Sequence, residues 1–317
     1  MKIKNVTIAG GGVLGAQIAY ITAFHGYNVT IWGRSEGSIE RVRPRIDKLH
    51  EIFSKELEIA PSYIGAKNPD YPRSFFNDKS EITEKRITEL KEINQDTYNG
   101  MNYTTDLDEA FANADLVIEA IAEVVDEKKA FYQKITPYLK DDAILVTNSS
   151  TLLPSTFRDY TGRQERFLSL HFANSIWRQN LAEVMGHDKT SEEVFDIVVE
   201  FAKSIGMYPA IIKKEQPGYI LNSILVPFID AGLRLYGDDI ASPHDIDMDW
   251  KLGTGSPRGP FEIIDIVGIT TVINITSANP ESKDPNSALA KAVEKLKERA
   301  DKGLKGVESG EGFYKYN

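Results

Sequence analysis

The stretch that decides the fold is residues 6–15, VTIAGGGVLG, in which a short apolar run leads directly into a glycine-rich loop. The run predicts a buried strand, residues 14–24 predict a helix, and residues 28–32 predict a second strand. In this context Gly10 allows a tight turn, Gly12 lets the backbone approach a pyrophosphate, and Gly15 lets the helix pack on the strand. We therefore predict a dinucleotide site at the helix N-terminus, the alternative being a glycine-rich turn without a ligand. The residues assigned to this contact are Gly10, Gly12, Val13, Leu14 and Gly15.

The composition excludes several classes of function. The chain has 317 residues, enough for two domains, and a formal net charge of −10. Because an acidic chain has no basic field to attract a polyanion, neither nucleic acid nor a membrane surface is expected as a partner. Cysteine is absent, which excludes disulfides and thiolate catalysis. No apolar run approaches the ~20 residues of a membrane span and no signal peptide is expected, so we predict a cytoplasmic protein.

The remaining pattern indicates two domains. Apolar runs typical of buried strands lie at residues 115–120, 143–147, 167–172, 181–185 and 208–212. After Pro217 only helical patterns occur, at residues 219–236, 243–252, 260–266 and 287–300. We therefore predict an α/β fold: a Rossmann-type, doubly wound, mostly parallel sheet in residues 1–213, followed by an all-helical domain in residues 214–317.

The end of the second strand bears on which dinucleotide binds. NAD sites usually place an Asp or Glu there to bind the ribose 2′-hydroxyl. Here the strand is followed by Gly33, Arg34 and Ser35 instead. Arginine suits a 2′-phosphate, because its guanidinium is always charged and can form two parallel hydrogen bonds. The sequence therefore favours NADP over NAD, the alternative being that Arg34 is a solvated loop residue.

Polar residues in apolar strands mark the candidate catalytic groups. The segment Asn148-Ser149-Ser150-Thr151 leaves a buried strand at the edge where α/β sheets bind ligands; a capped turn is the competing interpretation. His171 and Glu183 lie in two neighbouring apolar strands, where burial is costly unless they pair. A paired imidazole would serve as a proton carrier, the alternative being a structural ion pair. The other histidines show no ligand spacing, so no metal site is predicted.

Taken together, these segments resemble the L-3-hydroxyacyl-CoA dehydrogenase family, which includes 3-hydroxybutyryl-CoA dehydrogenases. Besides the glycine loop, the matching blocks are residues 119–123 (EAIAE), 148–150 (NSS), 171–174 (HFAN), 183–184 (EV), 217–222 (PGYILN), 259–262 (GPFE) and 310–314 (GEGFY). The resemblance implies that His171 is the general base for oxidation, that Glu183 orients it, and that the protein forms a homodimer through the helical domain. It implies a catalytic set of Ser150, His171, Asn174, Glu183 and Asn222, and further cofactor contacts at Glu123, Lys128 and Asn148.

Three departures from the family leave alternatives open. Gly33 replaces an acid, residues 175–180 (SIWRQN) replace a proline-rich apolar stretch, and the segment 54–101, a region that helps bind CoA in the family, is longer than usual. Trp177 and Arg178 would suit a quaternary ammonium or a free carboxylate in the substrate pocket. We expect hydride transfer between NAD(P) and C3 of a 3-hydroxyacyl compound, with short-chain (S)-3-hydroxyacyl-CoA as the first choice. The alternatives are a non-CoA 3-hydroxy acid, such as a carnitine-like or sugar-acid-like compound, and a non-catalytic dinucleotide-binding protein similar to lambda-crystallin.

Overall fold

The chain divides into a first compact unit that ends at Ile220 and a second that begins at Leu221. The computed structural model describes residues 2–67 and 69–316. The division falls slightly after the predicted boundary at residues 213 and 214. The reason is packing: Tyr219 is fully buried in a cluster with Met185 and Ile212 of the first unit.

The first unit is built on an eight-stranded sheet in the order β3-β2-β1-β4-β5-β6-β7-β8. The strands are β1 (Asn5–Ala9), β2 (Asn28–Trp32), β3 (Asn102–Thr104), β4 (Leu116–Glu119), β5 (Ile144–Thr147), β6 (Phe167–Phe172), β7 (Leu181–Met185) and β8 (Tyr208–Ile212). Strands β1 to β6 are parallel, β7 is antiparallel to β6, and β8 is parallel to β7. This is the predicted doubly wound sheet. Its order reverses between β1 and β4, which is where such sheets bind ligands.

In the part of the chain that the structure describes, six α-helices accompany this sheet. They are α1 (Val13–Phe24), α2 (Glu36–Ile59), α3 (Glu84–Asn99), α4 (Leu107–Phe111), α5 (Val125–Ile135) and α6 (Glu192–Ser204). Helix α1 is apolar on nearly all sides and is buried along most of its length, which leaves the glycine loop firmly attached to the core. The chain after α2 begins with a short 3-10 turn, Ala60–Tyr63, and Phe75 and Phe76 further along are buried in the core.

The second unit consists of helices and connecting loops, as predicted. Its helices are α7 (Leu221–Gly237), α8 (Pro243–Thr254), α9 (Pro260–Val267), α10 (Ile269–Ser277) and α11 (Ala288–Asp301). Leu233, Phe261 and Leu296 are fully buried in its core. Within residues 2–67 and 69–316, no single helix is long and apolar enough to cross a membrane; only α9 and α10, bent by 102° at their junction, meet that test as a pair.

Candidate active site

The glycine loop after β1 has the shape that a dinucleotide requires. Gly10 has φ 111°, and a Cβ atom there would lie 2.5 Å from the Ala120 carbonyl oxygen. A Cβ atom on Gly15 would lie 2.1 Å from the Gly10 carbonyl oxygen, whereas one on Gly12 would meet nothing within 4 Å. Gly10 and Gly15 are therefore required by packing, and Gly12 faces open space. Because Gly12 precedes α1 and no side chain caps that helix, the first N–H groups of α1 suit a pyrophosphate.

The loop after β2 has no acid at the position typical of NAD sites, and a side chain there would displace its neighbours. Gly33 is buried, and a Cβ atom there would lie 2.4 Å from Ser38 Oγ and 2.7 Å from Ile39 Cδ1. The next residue, Arg34, has a side chain that is 76% exposed, and its Nη1 lies 3.7 Å from the Glu127 carboxylate. Ser35 follows as the N-cap of α2. An exposed guanidinium thus lies beside a helix N-terminus, an arrangement suited to a phosphate.

A fully buried carboxylate organises the carboxyl ends of β4 and β5. Glu119 Oε1 accepts a hydrogen bond from Lys128 Nζ at 2.6 Å and from the Ile121 backbone N–H at 2.8 Å. Its Oε2 accepts from the Tyr132 hydroxyl at 2.6 Å and from Thr147 Oγ1 at 2.8 Å. Both buried oxygens of the Glu119 carboxylate therefore have hydrogen-bond donors. The same contacts attach α5 to the central strands β4 and β5.

Glu123 holds the loop that carries Ser150. One of its oxygens, Oε1, accepts hydrogen bonds from the Ser149 hydroxyl, the Ser150 backbone N–H at 3.1 Å, and both the N–H and the hydroxyl of Thr151. The other oxygen lies 3.3 Å from Lys128 Nζ. Burial alone would raise the pKa of the Glu123 carboxyl, but the Ser149 hydrogen bond and the Lys128 charge outweigh burial and lower it. Glu123 therefore stays ionised and fixes the backbone that presents Ser150.

The same loop is attached to the strand of the candidate base. Asn148 Oδ1 accepts a hydrogen bond from the Phe172 N–H at 3.0 Å, next to His171. Ser150 is half-buried, and within the described part of the chain its hydroxyl forms no hydrogen bond. The Ser150 hydroxyl is therefore available to a ligand at the carboxyl edge of the sheet.

His171 and Glu183 face each other across the antiparallel pair β6–β7. They are register partners, and His171 Nδ1 lies 2.9 Å from Glu183 Oε2. Both are nearly inaccessible, at 5% and 1% exposure. The second carboxylate oxygen accepts from the Ile220 N–H at 2.9 Å. With Nδ1–H donated to Glu183, the other ring nitrogen, Nε2, is the acceptor in neutral imidazole and is free for proton transfer.

The turn after β6 corrects the prediction for Trp177 and Arg178. Arg178 donates from Nε and Nη2 to the two oxygens of Glu56, both at 2.6 Å, and Nη1 lies 3.1 Å from Asp70 Oδ2. Trp177 packs against the core near Phe53. The guanidinium is thus neutralised by two carboxylates of its own chain. We find no basis for assigning it to a substrate carboxylate, because this bidentate pair already uses its planar fork.

Two further predicted residues occupy different surroundings. Asn174 is exposed at the start of the turn, directly before Ser175, which has φ 57°. Asn222 lies in the first turn of α7, at the start of the second unit, and is half-buried.

Over residues 2–67 and 69–316, no group of three His, Asp or Glu side chains gathers in a form that would hold a metal ion.

Comparison with known proteins identifies the family. The family model for the 3-hydroxyacyl-CoA dehydrogenase NAD-binding domain matches residues 5–66 and 73–216, and the model for the C-terminal domain of the same enzymes matches residues 218–316. The chain belongs to the 3-hydroxyacyl-CoA dehydrogenase family. It is therefore an oxidoreductase of this type with a nicotinamide dinucleotide as cofactor.

Three relatives illustrate how this family member compares with characterised proteins. The mitochondrial hydroxyacyl-coenzyme A dehydrogenase of Rattus norvegicus is 32% identical over 314 residues, which cover 99% of this chain and 91% of the rat protein. A solved (S)-3-hydroxybutyryl-CoA dehydrogenase from Ralstonia eutropha has a TM-score of 0.72 and 26% identity, with full coverage of both chains. A solved diketoreductase, described as acting on dicarbonyl compounds, has a TM-score of 0.84 and 42% identity, again with 100% of both chains covered.

Sequence reasoning missed the contacts of two residues that build this site, Glu119 and Gln17. Glu119 is a charged residue inside an apolar strand, the same signal that singled out His171, and it was recognised only as part of a family block. Gln17, on α1, accepts hydrogen bonds from the backbone N–H groups of Ser175 and Ile176, at 2.9 and 3.4 Å. An isolated glutamine in an apolar helix gives the only sequence signal for that contact.

Proposed function

We propose that this protein transfers hydride between a nicotinamide dinucleotide and C3 of a short-chain (S)-3-hydroxyacyl-CoA or the corresponding 3-ketoacyl-CoA. The observation that carries the proposal is the buried contact between His171 Nδ1 and Glu183 Oε2, which leaves Nε2 as a proton acceptor at the ligand edge of the sheet. A nicotinamide, when bound, accepts or supplies the hydride. His171 takes the hydroxyl proton during oxidation and returns it during reduction, and the Glu183 carboxylate stabilises the imidazolium.

The remaining roles follow from the positions of the polar groups. The Ser150 hydroxyl donates a hydrogen bond to the reacting oxygen, because Glu123 holds its backbone and its hydroxyl has no partner within the described residues. Asn174 and Asn222 contribute polar contacts to substrate, as the family resemblance implies. The glycine loop binds the pyrophosphate. Glu123 and Lys128 are assigned to the nicotinamide-ribose side of the site, as the family resemblance implies, with the buried Lys128 ammonium lying against the Glu123 carboxylate.

The absence of an acid at Gly33 and the exposure of Arg34 support NADP as the preferred cofactor. A buried Gly33 cannot bind the ribose 2′-hydroxyl through a side chain, whereas Arg34 is free to move toward a 2′-phosphate, since its 3.7 Å contact with Glu127 is between exposed groups. A cytoplasmic location and a homodimer formed through the second unit remain predictions from the sequence.

The test of the acid–base assignment is a comparison of three variants. His171→Gln is expected to lower kcat by about 10²- to 10⁴-fold, and Glu183→Gln is expected to lower it as well, because the imidazolium loses its partner. His244→Gln, at a residue that is largely exposed in the second unit, is the matched control and should keep wild-type turnover. Dinucleotide affinity, measured by cofactor fluorescence, should survive in all three. Near-normal turnover by His171→Gln would refute the assignment.

A second candidate function is reduction of dicarbonyl compounds that carry no CoA. The observation that favours it is the diketoreductase relative, whose 42% identity over the full chain exceeds the 26% of the Ralstonia dehydrogenase. Parallel assays with acetoacetyl-CoA, free 3-keto acids and simple 1,3-dicarbonyl compounds decide between the two. A kcat/KM at least tenfold higher for acetoacetyl-CoA supports the first candidate, and the reverse order supports the second. If none of these compounds is turned over, a non-catalytic dinucleotide-binding protein is favoured.

A further inference from the structure

The imidazole of His171 is held by an aromatic ring as well as by Glu183. The Tyr219 ring lies stacked on it, with 4.6 Å between the ring centroids and 26° between the planes. Tyr219 is fully buried. The hydrogen bond from Nδ1 to Glu183 fixes one corner of the imidazole, but one hydrogen bond leaves the ring free to tilt about that contact. A ring stacked on the imidazole face prevents this tilting, and therefore also prevents the displacement of Nε2 that tilting would cause.

The backbone around Tyr219 is shaped to deliver this ring. Gly218 has φ 77° and Tyr219 has φ 57°, so two successive residues adopt the left-handed conformation. That conformation is uncommon for a bulky side chain and persists only where the surroundings impose it. Two contacts do so: the Tyr219 N–H donates to the Gln216 carbonyl at 3.0 Å, and the Ile220 N–H donates to Glu183 Oε1 at 2.9 Å. The carboxylate that binds the imidazole thus also fixes the segment that carries the stacked ring.

We propose that Tyr219 is a positioning residue for His171: its ring sets the plane of the imidazole and thereby the direction of Nε2. This inference rests on the proposed role of His171 in proton transfer. This role depends on the aromatic face of Tyr219. A phenylalanine at this position should therefore still orient the imidazole, whereas an aliphatic side chain should not. An ordinary core residue would behave differently, because its loss would lower stability without selectively changing the imidazole.

The test combines Tyr219→Leu with two controls, in the full-length protein. Tyr219→Phe keeps the aromatic face. Met185→Ala removes packing from the same buried cluster, but Met185 is paired with Ser169 on β6 rather than with His171. Tyr219→Leu is expected to lower kcat by about 10- to 100-fold, with little change in the KM for dinucleotide. Tyr219→Phe and Met185→Ala should both keep kcat close to wild type. Should Tyr219→Leu fail to fold, Tyr219→Met replaces it.

A second measurement does not depend on turnover. In protein with labelled histidine, the ring protons of His171, assigned by their loss in His171→Gln, should show an upfield shift from the stacked ring. The shift should persist in Tyr219→Phe and disappear in Tyr219→Leu. Unchanged His171 signals in Tyr219→Leu, wild-type kcat in that variant, or an equal loss of kcat in Met185→Ala would each overturn the proposal. Normal turnover by His171→Gln would instead refute the proposed function, while the NMR shift would still report the stack.

Discussion

Replacing Lys128 with methionine should lower the free energy of unfolding of the first unit by about 3–5 kcal/mol, because it leaves a buried charge without a counter-charge. Lys128 Nζ lies 2.6 Å from Glu119 Oε1 and 3.3 Å from Glu123 Oε2. The side chains of Lys128 and Glu119 are 1% and 0% exposed. In Lys128→Met, the Glu119 carboxylate keeps only neutral donors, so most of its desolvation cost is no longer offset by an opposite charge.

Two comparisons separate this charge effect from loss of packing. Adding Glu119→Gln to Lys128→Met removes both charges and should recover a large part of the lost stability, since neutral pairs of similar volume are tolerated where a lone charge is not. Lys85→Met is the matched surface control. Lys85 lies 3.9 Å from Glu89 with a side chain that is 88% exposed, and its replacement should change stability little.

Urea unfolding followed by tryptophan fluorescence measures these differences, provided that the signal is confined to one unit. Trp32 and Trp177 belong to the first unit and Trp250 to the second. A Trp250→Phe background therefore reports unfolding of the first unit alone, which avoids treating a chain of two units as a single two-state system. The reasoning would be refuted if Lys128→Met cost no more than Lys85→Met, or if Glu119→Gln gave no recovery.

Three further outcomes are expected. Arg34→Ala should raise the KM for NADPH roughly 10- to 100-fold more than that for NADH, because a charge-assisted contact contributes about 1.5–3 kcal/mol; equal effects on both cofactors would contradict the 2′-phosphate role. Arg178→Ala should lower the thermal midpoint but leave substrate KM unchanged, because Glu56 binds its guanidinium; a selective rise in KM for a carboxylate substrate would show otherwise. Burial lowers the pKa of His25 from 6.5 to about 4, so the unfolded state alone takes up a proton below pH 6.5 and stability should fall by about 3 kcal/mol as the pH falls to 4. Urea titrations at several pH values should show this loss in wild type and a smaller one in His25→Gln.

The sequence predicts the sheet well where burial on both faces leaves a continuous apolar run. Strands β6 and β7 are buried and have the predicted bounds because polar or turn-forming residues end each run. Strand β8 also has the predicted bounds, although it is an edge strand with Tyr208 and Ile211 exposed. Strand β3 was missed because it has three residues, Asn102–Thr104, at the edge of the sheet. Helix α10 was missed for a different reason. Its sequence, ITTVINITS, is rich in β-branched residues, so its helical conformation depends on tertiary packing of Ile269 and Val272.

The sequence proposes members for the candidate site but does not indicate the partners of their side chains. Residue types and strand ends suggest where those members lie, because the carboxyl ends of parallel strands meet at one edge of the sheet. The contact of Arg178 with Glu56 joins residues 122 positions apart, and no local pattern indicates it. Glu123 shows the same limit, since the family resemblance implied a cofactor contact for it and its carboxylate in the structure also holds the backbone N–H groups of Ser150 and Thr151.

Gln17 connects the glycine loop with the turn that carries Asn174, two segments that the sequence alone does not bring together. It lies on α1, directly after the glycine loop, and its side-chain oxygen accepts the N–H groups of Ser175 and Ile176. Ser175 has φ 57°, a conformation that a serine adopts only when its surroundings hold it there. The turn that carries Asn174 is therefore fixed by the helix whose N-terminus suits the pyrophosphate. The glycine loop and the turn that carries Asn174 are thus joined through one buried amide, which keeps both on the rigid core rather than on independent loops.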